Sequence, residues 1–315
     1  IRVVDQEDQG PEFITVPSVT RVAEDALPGT PVLKVKAIDG DRGVNQRIVY
    51  SLNPAAGQQF AIDDKDGTVY LLEKLDREDA QVTNGAFILS ITAREDSPLG
   101  SSVTTEVTVI VLDVNDQLPT FRDQGTGLYR AEIDENSPDN TPVTFVDSDL
   151  MKPQVFDYDQ GTNGTFTLEI ECDEDLFDIS PSLVVNEAVF SIRVKNHLLL
   201  DYESLQGVIN CTVTATEIAA PLASNSIKVQ ITIHDLNDNL PQFHIEPNSY
   251  QFRIAENSPP GTVIGYVKAV DADSGQLGSQ GIRYSLLAGG SMIDVLDVDP
   301  VSGLLSVGPG AGLLD

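Results

Sequence analysis

The chain of 315 residues has no tryptophan, two cysteines and three histidines, and each scarcity narrows what it can be. Cys172 and Cys211 allow one bridge at most, so this is not a small scaffold stapled by disulfides. His197, His234 and His244 are scattered and read as surface residues, with no HExxH pair, no CxxC and no GxSxG turn beside them. No catalytic set converges. Basic residues are also few, 19 against 49 acidic ones, for a net charge of -30. That balance excludes nucleic acid and anionic membrane as favoured partners and makes the chain repel itself unless divalent cations neutralise it. No stretch approaches the roughly 20 apolar residues that span a bilayer, and no signal segment opens the chain. Long helical stripes are absent as well.

What is present is alternation with period two. Ile227, Val229, Ile231 and Ile233 alternate with Lys228, Gln230, Thr232 and His234, the pattern of a half-buried strand. Phe87, Leu89, Ile91 and Ala93 repeat it, as do Leu33, Val35 and Ala37. Short strands between Gly, Pro, Asn and Asp turns, in units of about 100 residues, predict an all-β chain of antiparallel sandwiches.

The units repeat. Asp5 to Phe13, Asp113 to Phe121 and Asp235 to Phe243 each join an acidic cluster to proline, one residue and phenylalanine. Glu24, Glu135 and Glu256 each precede a proline-containing turn. Acidic doublets follow at Asp39 and Asp41, Asp157 and Asp159, Asp271 and Asp273, and then Leu75-Asp76-Arg77-Glu78 and Leu200-Asp201-Tyr202-Glu203. The boundaries expected are a linker over 1–9, units over 10–116 and 117–238, and a partial unit over 239–315 that breaks off at Leu314-Asp315. Both edges read as cut, as in an excised internal fragment. The middle unit has 22 positions from Glu135 to Asp157, where the others have 15 between the matching residues. The insertion, near Val146 to Val155, reads as a longer surface loop.

Carboxylates and side-chain amides at fixed offsets, where one unit gives way to the next, point to calcium, which takes six to eight hard oxygens at flexible geometry. Solvating acidic loops would not recur in register beside the same Pro and Phe.

These motifs, namely Glu256-Asn257, the DxD doublets, LDRE and LDYE, DVNDQLPTF and DLNDNLPQF, together resemble the cadherin superfamily, and the resemblance covers essentially the whole chain. It implies tandem Greek-key sandwiches, arranged end to end and stiffened by Ca2+ at each joint. It further implies a ligand set for the first internal joint of Glu24, Asp76, Glu78, Asp113, Asp116 and the Val114 carbonyl, with Asn115, Asp157, Asp159, Glu217 and the Gln117 carbonyl around a third ion. For the next joint it implies Glu135, Asp201, Glu203, Asp235, Leu236, Asn237, Asp238, Asn239, Asp271 and Asp273, with one further ligand beyond Asp315. For the leading joint it implies Glu7, Asp39, Asp41 and Glu95. Glu95 and Glu217 stand where the family has Asp, and Glu7 where it has Asn, so a longer side chain weakens the third ion and the leading joint's ion complement is unsettled.

The resemblance also implies an extracellular address on a cell surface, through an anchor outside this fragment. The function expected is calcium-dependent adhesion or mechanical linkage with other cadherin-like ectodomains, homophilic or heterophilic. The alternative is a calcium-shaped receptor or spacer for a heterologous ligand. The missing tryptophan removes a strand-swap anchor that belongs to the outermost repeat of some members, and the departures at Glu7, Glu95 and Glu217 fit better with the non-strand-swapping, protocadherin-like or cadherin-related type. Cys172 and Cys211 are each compatible with a core thiol, and neighbouring strands, as in a cadherin repeat, would permit a bridge. Of two glycosylation sequons, Asn210 lies on a solvent face and Asn163 beside an acidic doublet.

Overall fold

The computed structural model describes residues 9–41, 46–53, 58–79, 84–123, 125–146, 152–244, 250–287 and 294–310. Glu7, the 147–151 part of the insertion and Leu314-Asp315 lie outside the described residues. Strands dominate, and the described helical segments are a single 3-10 turn at His197–Leu199 and a four-residue helix at Tyr202–Leu205.

In the first unit, one layer has Val19–Ala23, Ser102–Leu112, Ala86–Glu95 and Ile48–Leu52 side by side. The facing layer has Pro11–Thr15 against Lys36–Asp39, and Pro31–Lys34 against Thr68–Leu71 and Phe60–Ile62. The predicted inward residues Leu33, Val35, Ala37, Leu89, Ile91 and Ala93 all lie in the buried core between them, with Phe87 packed against it. Each fully buried aliphatic side chain of this kind contributes about 1.5–3 kcal/mol.

The middle unit repeats the plan with a larger sheet, ordered Thr144–Phe145, Leu128–Asp134, Ser224–His234, Val208–Glu217, Thr165–Cys172 and Leu183–Val185. Ile227, Val229, Ile231 and Ile233 are buried in its core beside Phe166 and Phe190. Cys172 and Cys211 sit directly opposite each other on adjacent antiparallel strands and are bridged, with an S–S distance of 2.06 Å. The recurring phenylalanine closes this core: Phe121 meets Phe190 edge to face at 6.0 Å. Its counterpart in the third unit, Phe243, is 49% exposed. That unit shows Val263–Tyr266, Leu304–Val307 and Leu296–Val298 as one sheet, and Gln242–Phe243 paired with Ala269–Val270.

In the first and the middle unit one pairing differs from the purely antiparallel expectation and positions the acidic residues. Val19–Ala23 runs parallel to Ser102–Leu112, and Leu128–Asp134 runs parallel to Ser224–His234. An opening strand and a closing strand therefore end on the same edge of the unit. Glu24, which follows the first, donates its amide N–H to the Leu112 carbonyl at 3.1 Å, and Glu135 donates to the His234 carbonyl at 3.0 Å. Antiparallel pairing would have sent these glutamates to the edge away from the acidic linker.

Candidate metal centres at the joints

Glu24 is buried although it is charged, at 3% exposure. Its Oε2 accepts the Arg77 amide at 2.8 Å and its Oε1 accepts the Val114 amide at 2.5 Å, so one carboxylate ties the LDRE turn to the linker. Glu135 does the same in the middle unit, accepting the Tyr202 amide at 2.7 Å and the Leu236 amide at 2.6 Å. In each LDxE turn the two acids are set by local geometry; the Glu78 amide donates to Asp76 at 3.0 Å, and Asp201 precedes the short helix that carries Glu203.

The acidic doublets come from the following unit. The Asp159 amide donates to Asp157 at 3.0 Å, the Asp273 amide to Asp271 at 3.2 Å and the Asp41 amide to Asp39 at 2.9 Å, so each DxD loop folds on its own first carboxylate. The second carboxylate then receives the linker backbone: Gln9 donates to Asp41 at 3.4 Å, Gln117 to Asp159 at 3.1 Å and Asn239 to Asp273 at 3.2 Å. The same bond thus occurs three times. Glu217 accepts the Asn115 side-chain amide at 2.7 Å, and the longer side chain at Glu95 is likewise engaged by the Ser101 amide at 2.8 Å.

Four carboxylate triads result, each with ligand atoms within 4.8 Å of one another: Glu24, Glu78 and Asp116; Glu78, Asp113 and Asp159; Glu135, Glu203 and Asp238; Glu203, Asp235 and Asp273. Glu78 and Glu203 each belong to two triads. Asp159 and Asp273 bring the neighbouring unit into the second of each pair. Asp76, Asp201, Asp271, Asn237 and Asp157 lie near these groups in sequence or hydrogen bonding without joining a triad. At the leading joint, Asp39, Asp41 and Glu95 form none among the described residues.

Crowding shows in the titration of these groups. Burial, reinforced by Glu24 and Asp113, pushes Glu78 up to about 8. Burial, with Asp157, Asp113 and Asp116 nearby, pushes Asp159 up to about 7. Glu203 rises to about 7 through burial and the Asp201 and Glu135 carboxylates, and burial also raises Asp157.

The donor set fits a hard cation. Both carboxylate oxygens of Glu78 and of Glu203 are buried without a hydrogen-bond partner, as is one oxygen each of Glu95, Asn115, Asp157, Asp159, Asp235 and Asp273. Buried unpaired oxygens are costly, and a bound cation would satisfy many of them at once. The triads offer oxygen donors alone, with no histidine or cysteine, a set that suits a hard cation such as calcium better than zinc.

Sequence reasoning missed several donors that cross the two internal joints. The Gln160 amide and the Asn163 side chain both donate to Asp113, at 3.1 and 2.8 Å, and Ser274 donates to Asp235 at 2.8 Å. Polar residues after an acidic doublet are ordinary loop residues, and no sequence signal separates these. Asn210 is exposed, as its strand parity predicts, whereas Asn163 is half-buried at the joint.

Residues 18–112 match the cadherin domain family. Human cadherin-related family member 1 is 34% identical over 99% of this chain, which spans 35% of that protein's length. The EC22-24 segment of mouse cadherin-23 superposes with a TM-score of 0.71, at 25% identity, over 95% of this chain and 88% of that one. Extracellular cadherin domains 1-5 of protocadherin gamma B2 give a TM-score of 0.74, at 28% identity, over 98% of this chain and 55% of that one.

Proposed function

The chain belongs to the cadherin superfamily, among proteins of the cadherin-related and protocadherin-like type, and from that premise we propose that calcium ions lock its successive units into one adhesive or load-bearing array. The observation that carries the reading is the double membership of Glu78 and Glu203, each shared by two triads of which one includes a carboxylate from the next unit. At the first internal joint Glu24, Asp76, Glu78, Asp113 and Asp116 would hold two ions, with Asn115, Asp157, Asp159 and Glu217 at a third position. At the second, Glu135, Asp201, Glu203, Asp235, Asp238, Asn237, Asp271 and Asp273 would do so. The leading joint would use Asp39, Asp41 and Glu95 with its linker.

Calcium, when bound, would supply the positive charge that offsets the repulsion within these carboxylate groups. The chain's own residues do the rest. Glu24 and Glu135 fix the linker to the LDxE turn, and the Gln117 and Asn239 amides hold the next unit's doublet in place. Hinge motion would pull Asp159 or Asp273 out of its triad, so occupancy and alignment are coupled.

Extracellular calcium modules bind at roughly 0.1–1 mM, a range that suits a cell-surface ectodomain. Partners would be other cadherin-like ectodomains, and the role is structural rather than catalytic. Small-angle scattering across a calcium titration tests this: a narrow, extended distribution in calcium and a broader, flexible one in chelator are expected, while identical curves would refute the joint mechanism.

A further inference from the structure

Arg77 occupies the first joint in a way that has no counterpart at the second among the described residues. Its side chain is 14% exposed, and its Nε sits 3.9 Å from Asp113. Nη1 donates to the backbone carbonyls of Gly85 and Val111, anchoring the group to the strands of its own unit. Nη2 then donates to the Gln160 side-chain oxygen at 2.6 Å, across the joint. The Gln160 amide returns to Asp113 at 3.1 Å, so the next unit is gripped at both ends of one residue. Gly85 makes room for this: it has φ +68°, and a Cβ there would lie 1.9 Å from Nη1.

At the second joint the corresponding residues are Tyr202 and Ser274. Tyr202 packs against the core of its own unit. Ser274 donates to Asp235, and Asn239 to Asp273. Both of those acceptors belong to a triad, so these bonds end on carboxylates that repel one another when no ion is bound. Arg77–Gln160 is different in kind, because neither partner is a carboxylate.

We propose that Arg77 and Gln160 form a metal-independent latch that keeps the first joint aligned when calcium is withdrawn, while the second joint goes slack. Arg77 also places one positive charge against Asp113, offsetting part of the repulsion that opens the other joint. The two joints then respond differently to calcium depletion. The inference builds on the calcium reading, but its test is separable from it.

The experiment uses the full chain with fluorophore or spin-label pairs at exposed positions, Ser102 with Glu169 across the first joint and Glu169 with Ser302 across the second. In calcium both distance distributions should be narrow, and failure there counts against the calcium reading. In chelator the first should stay narrower than the second. Gln160→Ala removes the far end of the latch without touching the anchorage of Arg77 in its own unit. It should broaden the first joint in chelator to match the second and leave it narrow in calcium. Arg77→Met should do the same, with thermal unfolding of the first unit as the check on folding. Equal widths of the two wild-type joints in chelator, or a Gln160→Ala distribution unchanged from wild type, would overturn the latch.

Discussion

Replacing Glu78 by Gln should change calcium stoichiometry and metal-free stability in opposite senses. Glu78 meets Glu24 and Asp116 in one triad and Asp113 and Asp159 in the other, with ligand atoms within 4.8 Å. At that separation two unit charges repel by about 1 kcal/mol in a water-like medium and by roughly 3.5 kcal/mol at an effective dielectric of 20. Burial first, and then repulsion from Glu24 and Asp113 among these four neighbours, raises Glu78 to about 8. Above about pH 8, where Glu78 is ionised, removing its charge relieves that repulsion when no ion is present, so there the variant should unfold at a higher temperature than wild type in chelator, and near pH 6 the two should unfold alike. With calcium the order reverses, because two triads lose the carboxylate they share. Metal analysis after equilibrium dialysis should find two fewer tightly held ions per chain. Asp116→Asn, which touches a single triad, should cost one. If Glu78→Gln loses no more calcium than Asp116→Asn, the sharing of that carboxylate between two ions is wrong.

Calcium addition to a weakly buffered sample should release protons. A carboxylate whose folded pKa is raised contributes stability below its unfolded pKa and loses it as pH climbs through the folded value, here about 8 for Glu78 and about 7 for Asp159 and Glu203. The metal-free joints therefore weaken between about pH 4.5 and 8, and calcium affinity rises over the same interval; calorimetry in buffers of different ionisation enthalpy would read the proton count, and a count of zero at pH 7 would contradict the crowding. Converting both Cys172 and Cys211 to Ser opens a loop with a sequence separation of 39, which by chain entropy costs roughly 4 kcal/mol; the middle unit's thermal transition should fall while the first unit's stays. On secreted protein, glycopeptide mapping should find a glycan at Asn210 and none at Asn163, whose side-chain nitrogen is held by Asp113 at 2.8 Å.

The strands and the acidic groups were legible because both are written in register. Alternation placed Leu89, Ile91, Val229 and Ile231 in the cores, and recurrence beside Pro and Phe placed Glu24, Glu78, Asp113 and Asp159 at one joint, where the fold brings them together. Parallel pairing of opening and closing strands could not be read, since period two is the same in either direction. Pairing of Cys172 with Cys211 depended on which strands are neighbours, a tertiary fact. The exposure of Phe243 broke a local pattern that held at Phe121, because burial is set by what the unit packs over the ring and not by the Pro-x-Phe motif. Arg77 escaped notice for a related reason: its role lies in Gly85 and Gln160, which no spacing rule links to it.

The central claim is that oxygens from adjacent units close on shared ions. Anomalous diffraction from crystals grown in calcium, or exchanged into a lanthanide, locates such ions directly. Strong peaks are expected within both triads that contain Glu78 and both that contain Glu203. Ordered, metal-replete crystals in which Glu24, Asp113 and Asp159 diverge, with water and no anomalous density among them, would contradict it.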